Sequence, residues 1–282
     1  MAPSDGNVQE RKPILVIGGT GKTGRRVAER LAARGLPVRI GSRSATPGFD
    51  WEDRASWAPA LRGAAAAYIT YFPDLAVPGA VVAVRDLVAV ALAEGVRRLV
   101  LLSGRGEEEA QLCEQALQRS GADWTIVRAS WFNQNFSESY LLDGVLAGEI
   151  ALPAGAVGEP FVDADDIADV AVAALTQEGH VGQLYEVTGP RLLTFAEAVA
   201  EIARASGRPV RYAEIPAAAF AATLMEQEVP ADITELLSYL FNTVLDGRNA
   251  RLADGVQRAL GRPPRDFADY ARDVAAAGIW AG

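Results

Sequence analysis

The chain is poor in the residue types that most often carry chemistry. It has one cysteine, Cys113, and one histidine, His180, in 282 residues. A single thiol excludes an intramolecular disulfide and a cysteine metal cluster. His180 stands in Gln-Glu-Gly-His-Val-Gly, a loop-like stretch, and reads as a surface residue rather than a ligand or general base. Lysine occurs only as Lys12 and Lys22. No Tyr-x-x-x-Lys pair can therefore exist, which removes the acid in which an ammonium lowers a tyrosine pKa so that it protonates an alkoxide. Tyr140 is followed four residues on by Gly144. Although 50% of the residues are hydrophobic, no apolar run approaches the roughly 18–20 residues of a membrane span. Met1 to Lys12 is polar and lacks an apolar h-region, so a frayed tail is expected there and no signal peptide. A net charge of −9 without a basic block argues against nucleic acid as the main partner. The expected compartment is the cytoplasm.

Glycine is what the chain does have. Ile14-Leu15-Val16-Ile17 reads as a buried strand and Arg25–Leu31 as a helix with Val27, Ala28 and Leu31 on one face. Between them lie Gly18, Thr20, Gly21, Lys22, Thr23 and Gly24, the glycines at G-x-x-G-x-x-G spacing. A side chain at the first glycine would obstruct the tight turn, and one at the second would block a pyrophosphate. One at the third would push the helix off the sheet. The helix N-terminus offers free N–H groups and a positive dipole end to phosphates. Strand, loop and helix together are the context that a dinucleotide-binding motif requires. The next strand, Pro37–Ile40, runs into Gly41-Ser42-Arg43-Ser44, where an NAD site would carry a carboxylate for the ribose 2′-hydroxyl. Arg43 can instead pair with a 2′-phosphate, with Ser42 and Ser44 as hydroxyl donors and Lys22 adding charge. The expected cofactor is NADP(H).

Strand and helix alternate through the first half. Phe49–Trp51 reads as a short strand, as do 65–70, 97–102 and 123–128, with helices over about 79–94 and 107–120. Such alternation predicts an α/β fold, a Rossmann-type doubly wound parallel sheet with right-handed crossovers. Residues just past Ile17, Ile40, Thr70, Leu102 and Arg128 then line the ligand site. Later come a helix over 164–175, a strand over 184–188 that can pair back onto the sheet, and a capping box at Thr194 and Glu197. Helices follow at about 217–228, 233–245, 255–260 and 267–276. The expected organisation is a tail (1–12), a cofactor-binding domain (13–131) and a smaller, mostly helical substrate-binding lobe (132–282) interleaved with the sheet.

The glycine loop, Gly41-Ser42-Arg43-Ser44, Phe49-Asp50-Trp51, Trp131-Phe132-Asn133-Gln134-Asn135-Phe136, the segment 161–168 and the tail 261–270 resemble an NmrA-like atypical short-chain dehydrogenase/reductase. The branch with ergot-alkaloid dehydrogenases and their bacterial relatives is the most similar. The resemblance spans nearly the whole chain and implies a Rossmann domain, NADP(H) and a small organic substrate. It leaves the reaction open, because the wider family includes reductases and redox-sensing regulators.

Without the usual acid, two routes to hydride transfer remain. The acceptor is already an electrophile, such as an iminium or a quinone-like ring, and needs only orientation. Alternatively, another group gives the proton. Ser103 ends a strand where short-chain dehydrogenases usually keep a serine or threonine; it is a hydrogen-bond donor for catalysis and cofactor contact, or a plain turn residue. Asn133 and Asn135 can reach the nicotinamide amide or substrate, or cap a turn. Trp131, Phe132 and Phe136 wall an aromatic pocket or belong to the core. Glu107, Glu108 and Glu109 read as a helix opening that its dipole favours. Glu114 reads as solvated or capping, and Asp163 as the N-cap of a helix that also carries Asp165 and Asp166. No metal site is expected. The reading is an NADPH-dependent reductase in secondary metabolism, acting on a small cyclic or aromatic acceptor. The alternatives are an NADP(H)-sensing regulator and a non-redox isomerase or cyclase. A homo-oligomer stays open.

Overall fold

Strand β1 (Ile14–Ile17) is buried along its whole length, as a central strand covered on both faces must be. Residues 11–281 of the computed structural model are described; of the expected N-terminal tail, residues 1–10 lie outside them. β1 feeds helix α1 (Lys22–Ala33), followed by β2 (Val38–Gly41), a short helix α2 (Trp57–Leu61) and β3 (Ala66–Ile69). Helix α3 (Ala80–Ala93), β4 (Arg98–Gly104), α4 (Glu108–Gln118) and β5 (Asp123–Ala129) complete the alternation. The later strand β7 (Gln183–Val187) returns to pair with β5. The six parallel strands take the order β2-β1-β3-β4-β5-β7. The order reverses between β1 and β3, where the crevice at the strands' carboxyl ends receives ligands.

Phe49–Trp51 forms no strand. Phe49 N–H bonds the Ser42 carbonyl at 2.9 Å, while the Trp51 and Trp57 indoles donate to the Thr70 and Asp50 carbonyls at 3.1 and 2.7 Å. Ring packing and these side-chain bonds hold the segment as a loop. Its aromatic composition is what made it resemble a strand.

One sheet face packs Leu15, Ile17, Ile69 and Leu101 against α2, α3 and α4. The opposite face packs Val16, Tyr68, Val100 and Val127 against α1, α6 (Ala164–Thr176) and α10 (Gly255–Leu260). α1 and α6 are joined by Arg30 on Asp165 and Asp169 at 2.7 and 2.6 Å, and Arg262 clasps Asp166 at 2.6 Å. Asp163 caps α6 by accepting from Asp165 N–H.

The remaining elements share a separate core of Phe136, Phe161, Phe195, Phe241, Phe267 and Trp280. They are α5 (Leu142–Ala147), β6 (Glu149–Leu152), α7 (Phe195–Ser206), β8 (Arg211–Glu214), α8 (Ala217–Glu226), α9 (Ala231–Tyr239) and α11 (Phe267–Ala276). Thr194 and Glu197 form a full capping box on α7, and β6 and β8 pair in parallel. A π-helical turn over Leu240–Val244 extends α9. His180 is buried, its Nδ1 2.9 Å from the Tyr185 hydroxyl. This corrects the surface reading: the loop folds under β7 and uses the ring as packing. Among the described residues no helix is long and apolar enough to cross a membrane.

Candidate functional site

A cavity of about 910 Å³ opens over the carboxyl ends of β1 to β5 and runs from the glycine loop to α9. Its first third is the loop after β1. Gly18 has φ +70°, and a Cβ there would collide with the Thr70 hydroxyl. That hydroxyl donates to the Ile17 carbonyl at 3.0 Å and ties the turn to β3. A Cβ at Gly24 would run into the Gly18 carbonyl, which accounts for close packing of α1 on the loop. Gly24 itself lies outside the cavity lining. At Gly21 an added Cβ meets only the Gly18 carbonyl, at 3.3 Å, so its open side faces the cavity. Gly21 is the N-cap of α1 with no side chain on the first-turn N–H groups.

Cationic groups surround that helix end. Lys22 and Arg25 line the cavity, and Arg43, after β2, is exposed at its rim and makes no ion pair among the described residues. Lys22 Nζ donates to Asn135 Oδ1 at 2.9 Å, and burial lowers its pKa. Arg25 and Arg26 both pair with Glu138, at 2.8 and 2.6 Å. Thr20 is exposed on the loop, and Thr23 accepts from the buried Tyr68 hydroxyl at 3.1 Å. Ser42 and Ser44 hydroxyls lie 3.3 Å apart beside Arg43. A glycine cradle with an uncapped helix N-terminus, ringed by cations, fits a dinucleotide pyrophosphate.

The middle of the cavity lies over β4 and β5. Ser103 lines it, but its hydroxyl donates to Glu114 Oε1 at 2.6 Å, which commits its proton. Glu114 is buried and paired with Arg128, which also reaches Glu186 at 2.9 Å. The solvated or capping reading of Glu114 is thereby corrected: α4 turns it inward beneath the strand ends. Glu107 is likewise no part of a solvated helix opening. It is buried, makes no cap bond, and folds its carboxyl back over Gly104 into the cavity lining. Only Glu108 of the three is exposed.

The far end is apolar. Trp131 presents one side to the cavity and packs on Phe195 and Phe241, at 5.5 and 4.8 Å between centroids. Tyr71, Phe72, Phe132 and Tyr140 add further rings, and Ile233, Leu236, Leu237 and Leu240 roof the space. Phe136 is instead fully buried in the helical core. Asn133 is also fully buried, outside the lining, with both amide atoms unpaired. Its expected substrate contact is corrected: in the 3₁₀ turn Asn133–Phe136 successive side chains rotate by about 120°. That turn aims position 133 inward and presents Asn135 to Lys22. Sequence reasoning missed Asp74, the α9 roof and the Glu107 carboxyl. A Gly two residues past a strand's last apolar position was the one local hint of the fold-back.

The chain matches the model of the NmrA-like family over residues 10–259. It is 35% identical to a (4-alkanoyl-5-oxo-2,5-dihydrofuran-3-yl)methyl phosphate reductase of Streptomyces griseus, covering 94% of this chain and 98% of that one. It is 32% identical to an NAD(P)H azoreductase of Xenophilus azovorans, with the same coverages. Agroclavine dehydrogenase of Claviceps fusiformis is 31% identical over 92% of this chain and 96% of its own. An NADPH-dependent quinone oxidoreductase of Escherichia coli, solved with NADPH, superposes with a TM-score of 0.74. It is 23% identical and covers 93% of this chain and 99% of its own, which speaks for the fold. With the family model matched over most of its length, this chain belongs to the NmrA-like family.

Proposed function

We propose that the protein is an NADPH-dependent reductase of a small, flat, cyclic or aromatic acceptor. The observation that carries this reading is the single continuous cavity: a phosphate cradle at one end, an aromatic and aliphatic chamber at the other, and β4 and β5 strand ends between. When bound, the nicotinamide supplies a hydride. The protein's share is to hold and orient the reactants and exclude water. Gly18, Gly21 and the α1 N-terminus hold the pyrophosphate. Arg43 and Ser42 take the 2′-phosphate, and no carboxylate stands at that strand end to favour NAD. Trp131 and the α9 roof stack and confine the acceptor, which supports a planar substrate. The names of the relatives, an NAD(P)H azoreductase, a dihydrofuranyl-methyl phosphate reductase and an agroclavine dehydrogenase, support a reductase.

The test is NADPH oxidation, followed by its absorbance, against a panel of quinone, azo, enone and iminium acceptors. Steady acceptor-dependent consumption is expected. Tight NADPH binding with no turnover across the panel would overturn the reductase reading in favour of a nicotinamide-sensing regulator.

A further inference from the structure

Two carboxyl groups meet in the middle of the cavity, and the lysine-free chemistry above gives them no work. Asp74 follows β3 and Glu107 follows β4, so the parallel sheet brings them to adjacent strand ends. Both carboxyls line the cavity there, and Asp74 raises the Glu107 carboxyl above its usual range. Two carboxylates gathered in one partly dry site resist joint ionisation, so the pair retains a proton. Glu107 is 8% exposed, and no N–H or O–H of the described residues reaches its Oε2. Burial raises the Asp74 carboxyl as well, but its Oδ1 accepts the Ala76 N–H at 2.9 Å, which opposes that rise. Glycine at 104 is what leaves room for the fold-back, because a Cβ there would overlap the Glu107 carboxyl.

We propose that Glu107, which turns its carboxyl into the cavity over Gly104, is the proton donor to the reduced acceptor, a role that rests on the reductase reading. The acceptor's carbonyl, quinone or azo group gains a hydride from the reduced nicotinamide, which is oxidised, and a proton from the Glu107 carboxyl. Two adjacent carboxylates remain. Their repulsion draws a proton from water through the half-exposed Asp74, and the acid is restored. Burial first, then Asp74, holds Glu107 well above the usual carboxylate range. Glu109 and Glu114 of α4 press in the same direction. The nearby cations are engaged elsewhere: Arg105 with Glu186 and Arg248 with Asp246. This arrangement replaces the missing Tyr–Lys acid by a different pair.

Two measurements test it. The infrared difference between the cofactor-free parent and Glu107→Gln should contain the carbonyl stretch of a protonated carboxylic acid at neutral pH, separate from that of Glu159, which both proteins share. Kinetics then compare a quinone, which needs hydride and proton, with a permanently cationic iminium, which needs hydride alone. Glu107→Gln should shift the quinone-to-iminium ratio of kcat/KM by at least about a hundredfold, the lower end of general-acid contributions. Asp74→Asn should lower the apparent pKa of the quinone reaction. An absent acid band in that difference, or an unchanged ratio in Glu107→Gln, would overturn the donor role while leaving reductase turnover intact. No turnover of either acceptor by the unsubstituted protein would instead sink the reductase reading, and the donor role with it.

Discussion

Gly18, Gly21 and Gly24 do different jobs where β1 turns into α1, and substitutions should separate them. A branched side chain at Gly21 meets little of the protein but fills the phosphate approach. Gly21→Val should therefore abolish dinucleotide binding by calorimetry while circular dichroism and melting stay near those of the parent. Gly24→Ala should do the reverse, costing on the order of 2 kcal/mol in urea unfolding, because its Cβ enters the Gly18 carbonyl. Arg43 is the residue proposed to set cofactor choice. NADPH should bind at least tenfold more tightly than NADH, about 1.4 kcal/mol, and Arg43→Ala should erase most of that gap. Equal affinities for the two cofactors in the parent would refute the assignment. These loop residues were legible because their constraint is local: strand, turn and helix follow one another within a dozen positions. Glu107 was not, because a Glu-Glu-Glu run looks solvated and only the sheet's geometry shows that its first member turns back over Gly104.

At the scale of elements, the parallel alternation could be read from buried apolar runs and helical faces, and β7 rejoined the sheet as expected. The four-residue strands β6 and β8 escaped notice. They pair only with each other, across an intervening α6, β7 and α7, and so short a segment carries too little periodicity to stand out. Helix α9 was visible as a helix, but nothing local showed that it roofs the cavity. Its C-terminal Tyr239 donates to Glu109 Oε2 on α4 at 3.0 Å, which fastens the roof to the wall. Leu236→Ser should raise the acceptor KM by about tenfold, the effect of losing one or two buried methylenes plus a polar intrusion, with the NADPH Kd unchanged. A parallel loss of cofactor affinity would show that α9 supports the whole site rather than its acceptor end.

Across the whole molecule, buried carboxyls set the response to pH. Burial pushes the Glu159 carboxyl up to about 7, against the Arg105 guanidinium, whose charge lowers it. A carboxyl whose folded pKa is raised binds its proton more tightly in the folded state. Its contribution is therefore most favourable below the ordinary carboxylate pKa, and it is lost as pH rises from there through about 7. Glu159→Gln should gain stability relative to the parent between pH 5 and 8, by on the order of 2 kcal/mol, in paired urea titrations. A pH-independent difference would mean that Glu159 is ionised throughout.

Lys22 has a consequence beyond the phosphate contact proposed for it. The chain carries just one other lysine, the exposed Lys12, and burial makes the Lys22 amine easier to deprotonate than an ordinary one. An amine-acylating reagent thus meets two side-chain targets, of which one sits in the cofactor cradle and the other lies away from it. Mass spectrometry of the labelled peptides would read cofactor occupancy directly, with Lys12 as the internal standard. Near-stoichiometric labelling of Lys22 is expected in the free protein and protection in the presence of NADPH. In effect, the scarcity of lysine turns the phosphate loop into an occupancy gauge that works in a crude mixture.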